Sequence, residues 1–123
     1  MAFTRNTSSD LFAVLRSQFG DFSKVYSIGD IEYNSQNAEI IRSLSNQDEL
    51  KKAIQNGKFN NLFNIEKDYL SLYLLLFADK TRRFAVILDM HDPWTNPQVI
   101  ATDDAKDFSL EQISAIYPSM NLL

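Results

Sequence analysis

The chain has 123 residues, no cysteine and a net charge of −4. We expect residues 1–123 to fold as one domain, since this length supports a single core. The lack of cysteine excludes disulfides, thiol catalysis and cysteine-ligated metals. The acidic balance disfavours direct nucleic-acid binding, which normally needs a basic face. The only adjacent basic residues are the pairs Lys51-Lys52 and Arg82-Arg83, and both pairs are predicted to be solvated.

Hydropathy gives no sign of a membrane protein. The first ten residues lack the apolar core of a signal peptide. The longest apolar run, from Tyr69 to Ala78, is interrupted by Ser71 and is much shorter than the roughly twenty residues that a membrane span requires. We therefore expect a cytoplasmic protein without a membrane partner.

The N-terminal third predicts a helix followed by a strand. Ser8 or Ser9 is a suitable helix cap, and Gly20 stands where the helix should end. From Val25 to Tyr33 the β-branched and aromatic residues predict a strand with a bulge or bend at Gly29-Asp30. The helix has an apolar stripe at the helical spacing: Leu11, Val14, Leu15 and Phe19.

The next segment is ambiguous. Residues 38–44 are interpreted as the returning strand of a hairpin, with a helix over 36–44 as the alternative. A clearer helix follows, with Ser45 as its cap and Asn56-Gly57 at its end. Lys51 and Lys52 are expected to point outward from this helix.

Two apolar runs predict a central β-hairpin. Residues 69–77 and 84–88 flank a turn at Asp79–Thr81. Apolar and polar residues do not alternate along these runs, which indicates strands that are buried on both faces. A helix over 66–78 is the alternative for the first run. Residues 98–102 are predicted to form a further strand.

The C-terminal signal is a helix from Ser109 to Tyr117, capped by Ser109 and ended by Pro118. The whole pattern predicts an α+β fold with a mainly antiparallel sheet of about five strands and three flanking helices.

Motifs for catalysis are missing. No serine stands in a Gly-x-Ser-x-Gly elbow, and the isolated glycines Gly20, Gly29 and Gly57 form no phosphate-binding loop. We therefore expect a protein that is not an enzyme and needs no cofactor.

The acidity is concentrated in the last third. Residues 89–123 carry six acids and one base, which gives −5, whereas residues 1–88 carry ten acids and eleven bases. An acidic surface with an aromatic side chain suits a basic protein partner, although Trp94 could instead close the core beneath its loop. The predicted partner-binding residues are Asp89, Asp92, Trp94, Asp103, Asp104, Asp107 and Glu111.

His91 is the single histidine, and it lies between Asp89 and Asp92. A metal or small-ligand site is the functional alternative for this loop. One imidazole with adjacent aspartates cannot converge on a metal without further ligands, and the spacing matches no EF-hand. We therefore expect no metal site.

A small, acidic, cysteine-free α+β domain without catalytic motifs resembles the bacterial immunity proteins of contact-dependent-inhibition and related polymorphic-toxin systems. The strand-then-loop segment from Phe84 to Pro97 is similar to segments in several such families. The resemblance implies that the acidic face occludes the basic active site of a nuclease-type toxin. The alternatives are an adaptor or phage-type inhibitor of a host protein, and a homodimeric subunit that pairs through an edge of the hairpin strands.

Overall fold

The computed structural model describes residues 8–59, 68–89 and 97–123. A single 3-10 turn, Ser35–Asn37, precedes the second helix. The helices are α1 (Ser8–Phe19), α2 (Ala38–Ser43), α3 (Gln47–Gln55) and α4 (Leu110–Ile116). The strands are β1 (Lys24–Glu32), β2 (Tyr69–Leu76), β3 (Arg82–Asp89), β4 (Gln98–Asp104) and β5 (Asn121–Leu122).

The five strands form one antiparallel sheet in the order β4-β3-β2-β1-β5. The predicted α+β class and strand number are therefore confirmed. The described residues contain four helices, one more than expected, because α2 replaces a predicted strand.

Helices cover both faces of the sheet, which explains the continuous apolar run of β2. Leu72 and Leu74 pack in a cluster with residues of α3 and α4. Their neighbours Tyr73 and Leu75 point to the other face and pack in a second cluster with Leu11 of α1. Successive strand side chains alternate between faces, so a strand covered on both sides needs apolar residues at every position.

Strand β1 contains the predicted irregularity. Its register against β2 shifts between Ser27 and Gly29, as a β-bulge requires. A Cβ atom at Gly29 would lie 2.8 Å from the carbonyl oxygen of Phe59, so glycine at this position permits a close backbone approach. The bulge and the connection after α3 therefore fit together.

The strand predicted over 38–44 is wrong, and the helical alternative is correct. Ile41 and Leu44 turn inward at i, i+3 spacing, while Ile40 is 39% exposed. The side chain of Asn34 accepts a hydrogen bond from the amide of Asn37 and starts the preceding 3-10 turn. Strand β1 pairs with β2 along one edge and with β5 at Tyr26 and Ser27 along the other, and residues 38–43 form α2 instead of a strand.

The other predicted elements are confirmed with small shifts. Helix α3 is capped by Asn46 rather than Ser45, through hydrogen bonds from the next turn to its side-chain oxygen. Lys80, with φ of 70°, turns the chain between β2 and β3. Gly20 follows α1 with φ of 81°, a left-handed conformation that glycine adopts without strain.

Candidate functional site

Two members of the predicted acidic face, Asp89 and Asp104, lie at opposite ends of β3. Asp89 pairs with Tyr69 at one end of β3, whereas Asp104 pairs with Arg83 at the other end. Asp89 lies six positions beyond Arg83 along the strand, which corresponds to about 20 Å. The structure describes the backbone of Asp89 and not its side chain.

The loop that follows β3 lies outside the described residues. It contains Asp92 and Trp94, two of the predicted partner-binding residues, and His91, the candidate metal ligand. Their roles stay predictions.

Three of the predicted acids follow one another along the chain from the end of β4 into the first turn of α4. We term residues 104–111 the acidic segment. Asp104 is half-buried, and its side chain accepts a hydrogen bond from the amide of Lys106 at 3.3 Å. Asp107 and Glu111 are exposed. Among the described residues, this segment is the part of the predicted face that is accessible to solvent.

Asp103 is placed differently from its neighbours. It lies opposite Phe84 on the face covered by α3, and its side chain is only 1% exposed. It does not belong to the accessible acidic surface, contrary to its predicted role at an interface. Neither carboxylate oxygen has a hydrogen-bond partner among the described residues. Burial raises the pKa of this carboxyl despite the attraction of a nearby lysine.

That lysine is Lys51 of α3, and two aspartates share it. Its Nζ lies 3.6 Å from Oδ2 of Asp103 and 2.9 Å from Oδ2 of Asp107. Its hydrogen bond to Asp107 raises the pKa of Lys51 and lowers that of Asp107. Lys51 does not simply point outward as predicted, whereas Lys52 does and is 67% exposed.

Arg82 positions the start of the acidic segment. Its guanidinium donates hydrogen bonds to the carbonyl oxygens of Ala105 and Phe108. Arg83 points to the opposite face and donates to the hydroxyl of Thr102 at 3.2 Å. Both arginines are half-buried, so the prediction that this pair is solvated is wrong.

Helix α4 begins with the predicted cap. The hydroxyl of Ser109 accepts a hydrogen bond from the amide of Gln112, and the Gln112 side chain accepts one from the amide of Ser109. This reciprocal capping box fixes the point at which the acidic segment enters the helix.

A second buried polar pair lies on the α1 side of the sheet. The hydroxyl of Ser71 donates to Oδ1 of Asp30 across the β1–β2 ladder, at 2.5 Å. Asp30 is 9% exposed and Ser71 is 1% exposed. Asp30 and Ser71 therefore form a buried polar contact between the two strands.

The described residues contain no group of three or more histidine, aspartate or glutamate side chains placed to hold a metal ion. None of the described helices is both long enough and apolar enough to cross a bilayer.

The hairpin strands offer no edge to a second subunit, because β2 lies between β1 and β3, and β3 lies between β2 and β4. The prediction of a homodimer through a hairpin edge is wrong on this point. The outer strands are β4 and β5.

Sequence reasoning missed Lys51 and Arg82 as residues that position the site. A signal for Lys51 exists: it stands three residues before the core residue Ile54, beside the apolar stripe of its helix. Arg82 carries no comparable signal, because its acceptors lie more than twenty residues away along the chain.

Comparison with known proteins gave no significant match to a family model, to a curated protein or to a solved structure.

Proposed function

We propose that this protein acts by binding a basic protein partner, and that it is not an enzyme. The observation that carries the proposal is the exposure of Asp107 and Glu111 in the acidic segment, which holds three acids and one base within a last third of net charge −5. Opposite potentials steer two proteins together and raise their association rate. The acidic segment is thus the first surface that a basic partner meets.

The particular form that we propose is a bacterial immunity protein. In the cytoplasm it would neutralise a nuclease-type toxin by covering the toxin's active site. Such a site binds phosphates through basic side chains, and carboxylates supply the same kind of acceptor oxygen. The resemblance of residues 84–97 to segments of immunity proteins supports this form.

The loop after β3 would extend the interface. Asp92 would add charge, and Trp94 would supply the buried aromatic contact on which interfaces often depend. This loop follows Asp89 at one end of β3, whereas Asp104 lies beside the other end. A partner that contacts both regions would therefore extend along the strand.

The test begins with capture of partners from the native host and continues with the purified pair. Wild-type protein is immobilised, retained proteins are identified, and association is measured at low and high salt. The proposal expects a basic partner whose association slows as salt increases. If the identified partner is a nuclease, its activity must fall on binding; a host enzyme in its place would identify the protein as an adaptor or inhibitor of that enzyme.

Two glutamates give a matched pair for this experiment. Glu111 and Glu39 are both exposed, and each lies in the first turn of a helix. Glu111→Lys should slow association several-fold at low salt, while Glu39→Lys should change it much less. Equal effects of the two reversals would reject the acidic segment as the interface. The failure to find any basic partner would reject the proposed function.

A further inference from the structure

A groove adjoins the acidic segment, between the C-terminal turn of α3 and helix α4. It encloses about 310 Å³ and presents more apolar than polar surface. Phe108 is 3% exposed at this groove, whereas Gln55, Gln112 and Ala115 are exposed. The residues that line it are Gln55, Asp107, Phe108, Gln112, Ala115 and Ile116.

Carboxylates stand at and beside the groove, and Lys51 and Lys106 both lower the pKa of one of them, Asp107. Asp107 lines it, and the side chain of this residue is 57% exposed. Glu111 precedes Ala115 by four residues on α4, so these two side chains are neighbours on the helix surface. An apolar slot with carboxylates beside it suits a side chain that combines a long apolar stem with a cationic head.

The sharing of Lys51 makes Asp107 available to a second cation. Lys51 contacts both Asp107 and the buried Asp103. If an incoming cation takes Asp107, Lys51 remains beside Asp103, and no buried charge loses its counter-charge. The exchange therefore avoids the large cost of leaving a buried carboxylate unpaired.

We propose that this groove binds an arginine side chain of the basic partner, with its guanidinium on Asp107 and its stem along Phe108 and Ile116. Arginine fits better than lysine because its planar fork binds a carboxylate through two hydrogen bonds. The amide oxygens of Gln55 and Gln112 supply further acceptors. The volume is at the small end of ligand sites, which suits one or two side chains rather than a whole helix.

This inference rests on the proposed function, because it names the part of the surface that the partner enters. Its test uses a probe that requires no knowledge of the partner. The probe is the peptide acetyl-Leu-Arg-Leu-amide, titrated into the ¹⁵N-labelled full chain and followed by NMR. The matched peptide acetyl-Leu-Glu-Leu-amide serves as its control.

The arginine peptide should shift the amide signals of Gln55, Phe108, Gln112 and Ile116, and the glutamate peptide should not. Asp107→Asn should weaken binding of the arginine peptide by roughly tenfold, the loss expected for one charge-assisted hydrogen bond. Ala115→Phe should fill the groove and abolish the shifts, whereas Glu39→Gln should leave them unchanged. Each variant is at an exposed position, and its spectrum reports directly whether the fold is retained.

Shifts that lie elsewhere, that also occur with the glutamate peptide, or that survive Ala115→Phe would overturn the inference. Failure of the inference is distinct from failure of the proposed function. A basic partner that binds wild type and Ala115→Phe equally would reject the groove and retain the function. Specific binding of the arginine peptide without any basic protein partner would retain the groove and reject the function.

Discussion

The central hairpin and the acidic segment share an apolar cluster in this fold, yet they differ in how much polar contacts contribute to holding them. Strands β2 and β3 bury apolar side chains on both faces of the sheet. The acidic segment buries only Ala105 and Phe108 in that core, and polar contacts position the rest of it: the hydrogen bonds of Arg82, the capping box at Ser109 and the ion pairs of Lys51. The hairpin is thus an apolar core, whereas the acidic segment adds an electrostatic assembly to its two buried apolar residues.

We therefore expect the two regions to respond differently to changes of pH and salt. Burial of apolar surface is non-directional and does not change with protonation, so the hairpin should resist changes of pH and salt. Ion pairs and charged hydrogen bonds depend on both, so the acidic segment should respond to them.

The largest expected effect comes from the hairpin. Leu74→Ala, on the face of α3 and α4, or Ile87→Ala, on the face of α1, should each cost about 2–5 kcal/mol of unfolding free energy, since both side chains are buried. Denaturant titration measures this cost. Leu122→Ala, at a 51% exposed position, is the control and should cost much less. Unchanged midpoints for both core variants would show that the core is placed wrongly.

The next effect distinguishes two adjacent lysines. Lys51→Met removes the cation beside buried Asp103 and should lower the Tm at neutral pH. The loss should shrink in acid, because a protonated Asp103 needs no counter-charge. Lys52→Met removes only an exposed pair with Glu49 and should have almost no effect at either pH. Thermal unfolding of the two variants side by side decides whether the electrostatic assembly contributes to stability.

A smaller effect is expected at the start of α4. Ser109→Ala removes the side-chain acceptor of the capping box and should cost about 1 kcal/mol. Ser109→Asp restores an acceptor and should recover most of the loss. Because the cap joins the acidic segment to the helix, amide exchange at Gln112 and Ile113 should also accelerate in the alanine variant. Unaltered exchange there would mean that the cap does not hold the helix end.

The smallest effect concerns pH. Burial raises the pKa of Asp103 above its ordinary value of 3.8, so the folded protein holds this proton more tightly than the unfolded chain does. Asp103 therefore costs stability as the pH rises above that value. Asp107 acts in the opposite sense: its pKa is lowered, and the stability that it contributes is lost as the pH falls below the ordinary value.

The variant Asp103→Asn isolates the first of these two contributions. The difference in Tm between this variant and wild type should change in favour of the variant as the pH increases from about 4 to about 7. This expectation holds whichever of the two proteins has the higher Tm at the start. Asp107→Asn should lower the Tm at neutral pH and converge on wild type in acid. Parallel curves for Asp103→Asn and wild type would contradict the raised pKa of Asp103.

Local signals predicted most of the fold correctly. The apolar stripe before Gly20, the two apolar runs around Asp79–Thr81 and the Ser109 cap each act within a few residues of one another. Such patterns are visible in one sequence because the contacts that cause them are close along the chain. Residues 38–44 lacked a decisive pattern, and the structure shows a helix there whose residues Ile41 and Leu44 pack inward at i, i+3 spacing.

The acidic face could not be assembled correctly from the sequence, because its geometry depends on register. Strand β4 carries an irregularity: Ile87 pairs with Val99 while Val86 pairs with Ala101, so Ile100 is an extra residue. This bulge changes the face on which the following residues lie, and it places Asp103 beneath α3. Reversing the charge of Asp103 would therefore test folding and not partner binding.

The sequence by itself determined the class of fold, the buried hairpin, the ends of most helices and the excess of acid in the last third, because composition and short-range periodicity report burial and capping directly. Only the tertiary structure decided which acids face solvent, that Lys51 is shared by Asp103 and Asp107, and that a groove lies between α3 and α4. These features depend on strand register and on contacts between residues far apart in the chain, which local patterns do not encode.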